Sequence, residues 1–392
     1  MKTYKEKKQL FYSLIVSCIS IMGLSQTAPA QKFHDTKGNI EVTQAGQLQY
    51  TMTIDTPPGV QKVGPNISLV YVSGAGNGLA GYGWNISGVT AISRIGKNLE
   101  KDGVTKNVQL DYSDYYSFNG QRLILKSGDY GKDGAEYVTE KYSNVKIKSV
   151  GAVSGQSWQG PEYWEVTSPD GSQIWYGATA SGNSPARTAI DYNIVKSIDT
   201  NGNYITYNYT NEGNVSVISS IEWGGNETQN TPHFNKIEFA FTARPQAETA
   251  YVKEVLFTQS KLLESIVVSG GGQQYKKYNI SYKKDFRDTA YRYPDKITIL
   301  NSKNEEANPV LFKYDESAKE RSWGALPAIK PNPDKDLVGD FDGDGWLDVL
   351  RYHATTSAEI PQAGLYLYSD FYRTLLHNIL LRQIWLETQD IW

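Results

Sequence analysis

The segment GDFDGDGWLDVL carries the densest group of side chains that could do chemistry in this chain. Its four aspartates occupy positions 1, 3, 5 and 9 of a loop: Asp340, Asp342, Asp344 and Asp348. Carboxylates this close repel one another unless a hard cation lies among them. Oxygen ligands at alternating positions, together with the backbone carbonyl of Trp346, suit Ca²⁺. The segment therefore predicts a structural calcium loop.

Two features separate this loop from an EF-hand. Position 12 holds Arg351 where an EF-hand needs a glutamate, and no helical pattern flanks the loop. A solvated acidic turn without a metal remains the alternative.

A second candidate is the glycine-rich stretch YVSGAGNGLAGYGW, in which Gly76, Gly78 and Gly81 match the G-x-G-x-x-G spacing of a dinucleotide-binding loop. Such a loop must lead into a helix, because the N-terminus of that helix holds the pyrophosphate. The residues that follow, YGWNISGVTAI, are poor helix formers. The stretch therefore predicts a tight loop in a β-structure, with Trp84 packing over it.

Other groups of polar residues give weaker indications. Four carboxylates could form the acid–base pair of a sugar hydrolase, although on strands among aromatic residues they are more often surface charges: Asp111, Asp114, Glu162 and Glu165. The histidines are scattered without metal-binding spacing: His34, His233, His353 and His377. The surplus of 28 tyrosines could form sugar-binding platforms, but such residues more often pack across strands. We expect no catalytic site and no enzymatic activity.

The first 30 residues have the three parts of a secretory signal peptide. A charged region, MKTYKEKK, precedes the apolar LFYSLIVSCISIMGL, and an A-x-A-type cleavage site follows at 28–30. We therefore expect a secreted, extracellular protein. The alternative is an outer-membrane or surface lipoprotein acylated at Cys18, the one cysteine of the chain.

Charge and hydropathy exclude two kinds of partner. The net charge is −3, and no basic block appears beyond the first residues, so we expect no nucleic-acid partner. No later apolar run approaches the roughly 18 residues of a membrane helix, so we expect no transmembrane segment.

From residue 38 onward the pattern is one of strands and turns. Apolar and polar residues alternate with period two, and three X-Gly pairs lie between strand-like runs: Asn119-Gly120, Asp170-Gly171 and Asn201-Gly202. The fold class predicted is all-β, an antiparallel, hairpin-rich sheet assembly over 38–325. The proline-rich stretch 326–336 predicts a linker.

Residues 38–325 resemble the SpvB-type N-terminal domain. The shared features are the Pro57-Pro58-Gly59 turn, a strand ending near Tyr71, the glycine block from Ser73 to Trp84, and Ile92-Ser93-Arg94. NGQRLIL, DGSQIWYG and IDTNGNYITYNY match later parts of the same pattern. The resemblance extends to B components of insecticidal toxin complexes and to Rhs (YD-repeat) proteins. It implies a role in virulence and a β-structure that contributes to a hollow shell around a toxic segment, without catalysis of its own.

The C-terminal part resembles a different repeat. D-x-D-G-D-G-x-x-D is similar to the FG-GAP, or integrin-type, propeller repeat, and implies a partial β-propeller-type repeat over 337–364. The tail 365–392 is atypical, and FYRTLLHNILLRQIW has the apolar spacing of a short helix. Because one such repeat cannot bury its faces alone, we expect a truncated or frame-shifted product; a genuine C-terminal helix is the alternative.

These observations predict a secreted, non-enzymatic structural component of a toxin-complex or Rhs-like protein. It would scaffold or enclose an effector, in contact with other toxin-complex or Rhs-type subunits. The alternative is a calcium-dependent cell-surface adhesin or glycan-binding module. An exported hydrolase comes last.

Overall fold

The computed structural model describes residues 38–284 and 291–314, together with four short strands between 336 and 384. The chain divides into two compact units, Met1–Lys313 and Tyr314–Trp392. None of the helices in the described residues is both long and apolar enough to cross a membrane. The predicted signal peptide and most of the predicted linker lie outside the described residues.

A four-stranded antiparallel sheet begins the first unit. In spatial order, its strands are β1 Asn39–Val42, β2 Leu48–Thr53, β3 Ser68–Val72 and β6 Trp84–Ser87. A 3₁₀ turn, Val60–Lys62, lies between β2 and β3, and two very short strands precede β6: β4 Asn77–Gly78 and β5 Gly81–Tyr82. Met52 lies opposite Leu69, and both side chains are buried.

Eight antiparallel strands then close into a barrel. They are β7 Ala91–Ile95, β8 Tyr115–Phe118, β9 Gln121–Ser127, β10 Glu136–Thr139, β11 Lys146–Val150, β12 Tyr163–Thr167, β13 Gln173–Tyr176 and β14 Asp191–Ile198. A single helical turn, α1 Leu99–Asp102, follows β7. Each strand pairs with the next one along the chain, and β14 returns to pair with β7, with Tyr192 opposite Ile92. Closure leaves the barrel without a free edge.

Aromatic side chains fill the barrel. The ring of Trp164 lies 4.8 Å from Tyr116, 5.2 Å from Tyr137 and 6.0 Å from Tyr192, measured between ring centroids. The hydroxyl of Tyr192 donates to the carbonyl of Pro161 at 3.0 Å, so a tyrosine can be buried here without an unsatisfied donor. For these residues, the prediction that the aromatic surplus packs across strands is confirmed.

The sheet continues beyond the barrel because β14 also pairs with a further strand. Seven strands follow in order: β15 Asn203–Glu212, β16 Val215–Asn226, β17 Asn235–Val252, β18 Val255–Gly270, β19 Gln273–Lys284, β20 Arg292–Leu300 and β21 Val310–Leu311. The longest two, β17 and β18, contain 18 and 16 residues. The predicted all-β, hairpin-rich antiparallel fold is confirmed.

The hairpin turns form where X-Gly pairs predict them. Asn119 and Gly120 have φ of 50° and 74° and join Phe118 to Gln121, which face each other across the pair. Both residues thus adopt the left-handed region that a two-residue hairpin turn requires. Gly171 and Gly202, at φ of 87° and 86°, lie in the other two predicted turns.

The second unit contains a four-stranded antiparallel meander. Its strands are β22 Asp336–Gly339, β23 Asp348–Arg351, β24 Gly364–Leu367 and β25 Arg382–Ile384. The helix predicted for the tail is wrong over β25, which pairs with β24. An apolar run this short fits a strand as well as a helix, and the available partner strand decides between them. The remainder of that predicted helix lies outside the described residues.

Asp191 and Asp199, at the two ends of β14, should have opposite effects on how stability depends on pH. Burial raises the pKa of Asp191, against the opposing hydrogen bond from the Ser93 hydroxyl at 2.6 Å. The ionised carboxylate therefore lowers the free energy of unfolding. This loss of stability begins as the pH rises above the unfolded carboxyl pKa of about 4, and it is complete once the pH has passed the folded pKa. Asp191→Asn should raise the Tm at pH 7 by roughly 2–4 °C, and the difference should vanish in acid.

Asp199 is the matched control. Burial alone would raise its pKa, but hydrogen bonds from Asn203 and from backbone N–H groups outweigh burial, so the pKa is lowered. Its stabilisation is present above the unfolded carboxyl pKa and is lost as the pH falls through the folded value. Asp199→Asn should therefore lower the Tm at pH 7. Thermal scans in which both variants move the Tm in the same direction at pH 7 would contradict this account.

Candidate functional site: the glycine hairpin and its seat

The glycine-rich stretch folds into a small hairpin. β4 and β5 pair with Asn77 opposite Tyr82 and Gly78 opposite Gly81. The chain then runs directly into β6, so no helix N-terminus follows the glycines. The prediction of a tight β loop in place of a nucleotide-binding loop is confirmed.

Close backbone contacts explain the glycines of this hairpin. A Cβ atom at Gly78 would collide with the carbonyl oxygen of Trp84. Gly81 has a φ of +108°, and a Cβ there would lie 2.6 Å from the carbonyl oxygen of Arg292. Only glycine permits both the conformation and the contact.

The hairpin lies on a seat formed by Arg244 of β17 and by Lys261 and Leu263 of β18. The Arg244 guanidinium donates through Nη2 to the carbonyl of Gly78 and through Nε to the carbonyl of Lys261 at 2.9 Å. The N–H of Leu263 donates to the carbonyl of Leu79 at 2.8 Å. Since Arg244 lies where the β17–β18 register is broken by a bulge, its side chain can turn inward, and it is 8% exposed.

A carboxylate near Arg244 completes the seat. Burial lowers the pKa of Arg244, and the charge of Glu248 opposes that shift. The same carboxylate accepts a hydrogen bond from Asn77 Nδ2 at 2.6 Å, so it holds the hairpin as well. Charge-assisted bonds of this kind are stronger than neutral ones.

Aromatic rings hold the other sides of the hairpin. Tyr82 packs against Tyr291 and Tyr293, with ring centroids 4.9 and 5.4 Å apart. Trp84, just after the hairpin, is buried against Tyr71 and against Phe312, whose ring centroid is 4.7 Å away. The prediction that Trp84 packs beside the glycine loop is confirmed. The hairpin and its seat therefore join the first sheet to the long sheet, and the hydrogen bonds and ring contacts described here hold the two together.

A second buried polar group is centred on Arg94 of β7. Arg94, in the shared Ile-Ser-Arg motif, forms an ion pair with Asp114 at 3.1 Å, and both side chains are almost fully buried. Its guanidinium also donates to the carbonyls of Ala189 and Asp111 at 2.9 Å and of Gln159 at 2.5 Å. One side chain thus fixes several loop segments.

Three of the four carboxylates considered for hydrolysis accept hydrogen bonds within the fold. Asp114 accepts hydrogen bonds from the backbone N–H of Gln109 as well as from Arg94, and hydrogen bonds from Ser113 lower the pKa of Asp111. Glu162 accepts from the N–H of Gly182 at 3.3 Å. The fourth, Glu165, lies on β12 opposite Lys148 of β11 and Trp175 of β13.

The histidine that the structure describes is also bound within the fold. His233 Nδ1 accepts from the N–H of Gly225 at 3.3 Å, Nε2 contacts the Thr206 hydroxyl at 3.0 Å, and the ring packs on Tyr204. The other three histidines lie outside the described residues. Across the described part of the chain, no group of three or more His, Cys, Asp or Glu side chains could hold a metal ion.

Most of the predicted calcium loop lies outside the described residues: Asp340, Asp342, Asp344 and Trp346. Asp348 is described as the first residue of β23, and it pairs with Gly339, the last residue of β22. The two ends of the acidic segment are therefore brought together, as a loop between adjacent strands requires.

Sequence reasoning missed the seat. Arg244 lies in the polar stretch TARPQAET, where nothing but the arginine itself indicates burial. Arg94 was recognised as part of a motif, yet its ion pair with Asp114 depends on how the barrel closes.

The glycine hairpin yields a test with an internal control. Gly78→Ala should lower the free energy of unfolding by about 1–3 kcal/mol. The new methyl group would collide with the Trp84 backbone, and relieving that collision would disturb the hydrogen bond between Gly78 and Arg244. Nothing lies within 4 Å of a Cβ at Gly76. Gly76→Ala should therefore be neutral or stabilise by up to about 1 kcal/mol. Equal urea midpoints for the two variants would refute the close contact.

Comparisons with known proteins agree with this architecture. The family model described as "Salmonella virulence plasmid 65kDa B protein" (SpvB) matches residues 42–279, more than half of the chain. No curated protein matches the chain.

Solved structures provide the likeness in fold. The N-terminal domain of effector protein SpvB from Salmonella typhimurium strain LT2 is 15% identical; 64% of this chain and 98% of that domain are covered, with a TM-score of 0.48. TcdB2–TccC3 is 13% identical, with 84% of this chain and 19% of that chain covered and a TM-score of 0.56. The Tc holotoxin pore of Photorhabdus luminescens is 13% identical, with 84% and 21% covered and a TM-score of 0.53.

This chain therefore spans about a fifth of the length of the two larger chains. At such identities the structural likeness concerns the fold alone. The match of the family model over residues 42–279 is the finding that assigns the family, and by it the chain belongs to the SpvB family.

Proposed function

We propose that this chain is a non-enzymatic structural component of a toxin-complex-related assembly, in which it scaffolds or encloses a separate effector. The observation that carries the proposal is the fold likeness to TcdB2–TccC3, which extends over 84% of this chain and only 19% of the larger one. In the proposal, this chain forms one module of a larger β-structure. The family assignment supports the same class of protein.

The long continuous sheet supports a role as part of the shell that encloses the effector, which we call the wall. The barrel and the long sheet share β14, so a continuous hydrogen-bonded sheet of 15 strands runs from β13 to β21. Backbone hydrogen bonds along such a sheet resist local opening more than separate hairpins would. The seat fastens the first sheet to this surface through Arg244.

The buried polar side chains also support a structural role. Arg94, Asp114 and Arg244 make their hydrogen bonds within the fold, where they fix loops and strands. We therefore place the toxic activity in a separate effector. We further propose export through residues 1–30 and assembly with other toxin-complex or Rhs-type subunits or with an enclosed effector.

The native size of the exported chain tests this proposal. An epitope-tagged full chain, followed by native electrophoresis of the exported fraction, should migrate well above its monomer mass and co-purify with a second, β-rich toxin subunit or an effector. The double variant Glu162→Gln/Glu165→Gln should assemble and support toxicity as the wild type does.

Two outcomes would refute the structural role. The first is an exported monomer whose binding on a glycan array is abolished by a chelator, which would establish the calcium-dependent adhesin. The second is a hydrolytic activity that disappears in the double glutamine variant while assembly persists.

We also propose that the acidic segment between β22 and β23 binds Ca²⁺ and thereby stabilises the second unit. The donor set fits the ion, since hard carboxylate oxygens at alternating positions are the ligands that Ca²⁺ prefers. The ligands would be the carboxylates of Asp340, Asp342, Asp344 and Asp348 with the carbonyl of Trp346. The pairing of Gly339 with Asp348 supports this proposal, because it closes the ends of the loop.

Terbium luminescence tests the metal site. Tb³⁺ in this loop should emit when the neighbouring Trp346 is excited, and Ca²⁺ should displace it. Asp340→Asn/Asp344→Asn should abolish the signal, because two of the four anionic ligands are lost. The matched control, Asp334→Asn/Asp336→Asn, makes the same charge change just before the loop and should leave most of the signal. Equal emission from the two double variants would contradict the site.

A further inference from the structure

Three lysines converge on one groove of the first unit. Lys97 and Lys106 form an isolated antiparallel bridge, with N–H to carbonyl distances of 2.8 and 3.2 Å in the two directions. Lys253, at the turn between β17 and β18, reaches the same groove and donates to the carbonyl of Gln109 at 3.1 Å. The groove has a volume of about 470 Å³, within the roughly 300–1,000 Å³ of small-molecule sites.

The groove gathers three lysines that are not held in ion pairs. Several lysines elsewhere pair with carboxylates, among them Lys101–Glu140, Lys196–Glu227 and Lys261–Glu212 at 2.6–2.7 Å. Within the described residues, none of the three groove lysines forms an ion pair with a carboxylate. Like charges directly opposite on paired strands destabilise a sheet, so the arrangement costs stability.

The two acidic groups that interact with these lysines are also bonded to other partners. Asp102 is held by Arg122 at 2.6 Å, and Asp111 accepts the N–H of Ser113 at 2.8 Å. Hydrogen bonds from Ser113 lower the pKa of Asp111, and the charges of Lys106 and Lys253 add to that shift. The charge of Lys97 likewise helps to lower the pKa of Asp102. These two carboxylates therefore offset part of the charge of the three ammonium groups, and an excess of positive charge stays at the groove in a chain whose net charge is −3.

An aromatic ring lies beside these cations. Tyr251 lines the groove and is 72% exposed, whereas most large aromatic residues of this unit are buried. We propose that the groove formed by Lys97, Lys106, Lys253 and Tyr251 binds an anionic saccharide, with the ammonium groups on its sulfate or carboxylate groups and the tyrosine ring against a sugar face. This site is separate from the proposed calcium loop and does not depend on the proposed structural function.

The backbone around the groove favours a saccharide over an acidic peptide. An extended peptide that binds by strand addition gains its main-chain hydrogen bonds from a free strand edge. Here Lys97 and Lys106 pair with each other, and β17 pairs with β18 up to Val252 and Val255. A saccharide needs only the side chains, which the groove presents.

Binding of a heparin-derived hexasaccharide to the full chain, measured by calorimetry in the presence of a chelator, tests the site. Lys97→Gln/Lys106→Gln/Lys253→Gln should weaken binding at least about tenfold, since three charge contacts are lost. The control Lys141→Gln/Lys277→Gln/Lys303→Gln makes the same charge change at lysines that do not line the groove, and should change affinity less than about twofold. Thermal scans establish that both variants fold.

Two further probes identify the ligand. Tyr251→Ser should weaken the hexasaccharide and leave inorganic sulfate unaffected, because only the sugar contacts the ring. Absence of hexasaccharide binding, or equal losses in the two lysine variants, would overturn the proposal. It would also be overturned if polyglutamate bound as tightly as the hexasaccharide with no effect of Tyr251→Ser, since the groove would then recognise charge alone.

Discussion

The first unit depends on β14, a strand of eight residues that belongs to two structures at once. Asp191–Asn193 pairs with β7 and closes the barrel, while Lys196–Ile198 pairs with β15 and begins the long sheet. Its other neighbour is β13, which pairs with Ile194–Ile198. A barrel has no free edge, so a sheet can leave it only where one strand is long enough to hold two neighbours in succession. The wall proposed for this module requires that continuity.

A closed barrel must also be filled, and here tyrosine and tryptophan fill it. These rings supply a large apolar volume, and most of their polar atoms find partners, as Tyr192 does at Pro161. Arg94 extends the same principle to a full charge, since Asp114 and three carbonyls replace its water. Burial without those partners would be prohibitively costly. The segments joined at Arg94 are therefore held by electrostatic bonds between buried groups.

The two arginines and the three groove lysines illustrate different uses of positive charge. Arg94 and Arg244 are buried and donate to backbone carbonyls, Arg94 also pairs with Asp114, and both serve the fold. The groove lysines lie at the surface and leave donors available for a ligand. Planar guanidinium groups suit fixed, multiple bonds, whereas flexible ammonium groups suit an exchangeable anion. This contrast separates the proposed structural role of the module from its proposed saccharide site.

The local structure follows from the residue types. Alternation with period two marks the strands, and pairs such as Asn119-Gly120 mark the turns, because these residues adopt left-handed φ values more readily than others. The lack of helix-forming residues after Gly81 argued against a nucleotide-binding loop, because such a loop must lead into a helix. Two other features depend on the three-dimensional fold: Arg244 reaches Gly78, and Lys253 lies at the same groove as Lys97 and Lys106. In both cases, the fold brings together segments more than a hundred residues apart. The fold also determines the conformation of the tail at β25, which pairs with β24 although the apolar spacing suggested a helix. A residue's preferred backbone conformation is encoded where it stands, whereas its partner across a sheet is selected by closure and burial of the whole chain.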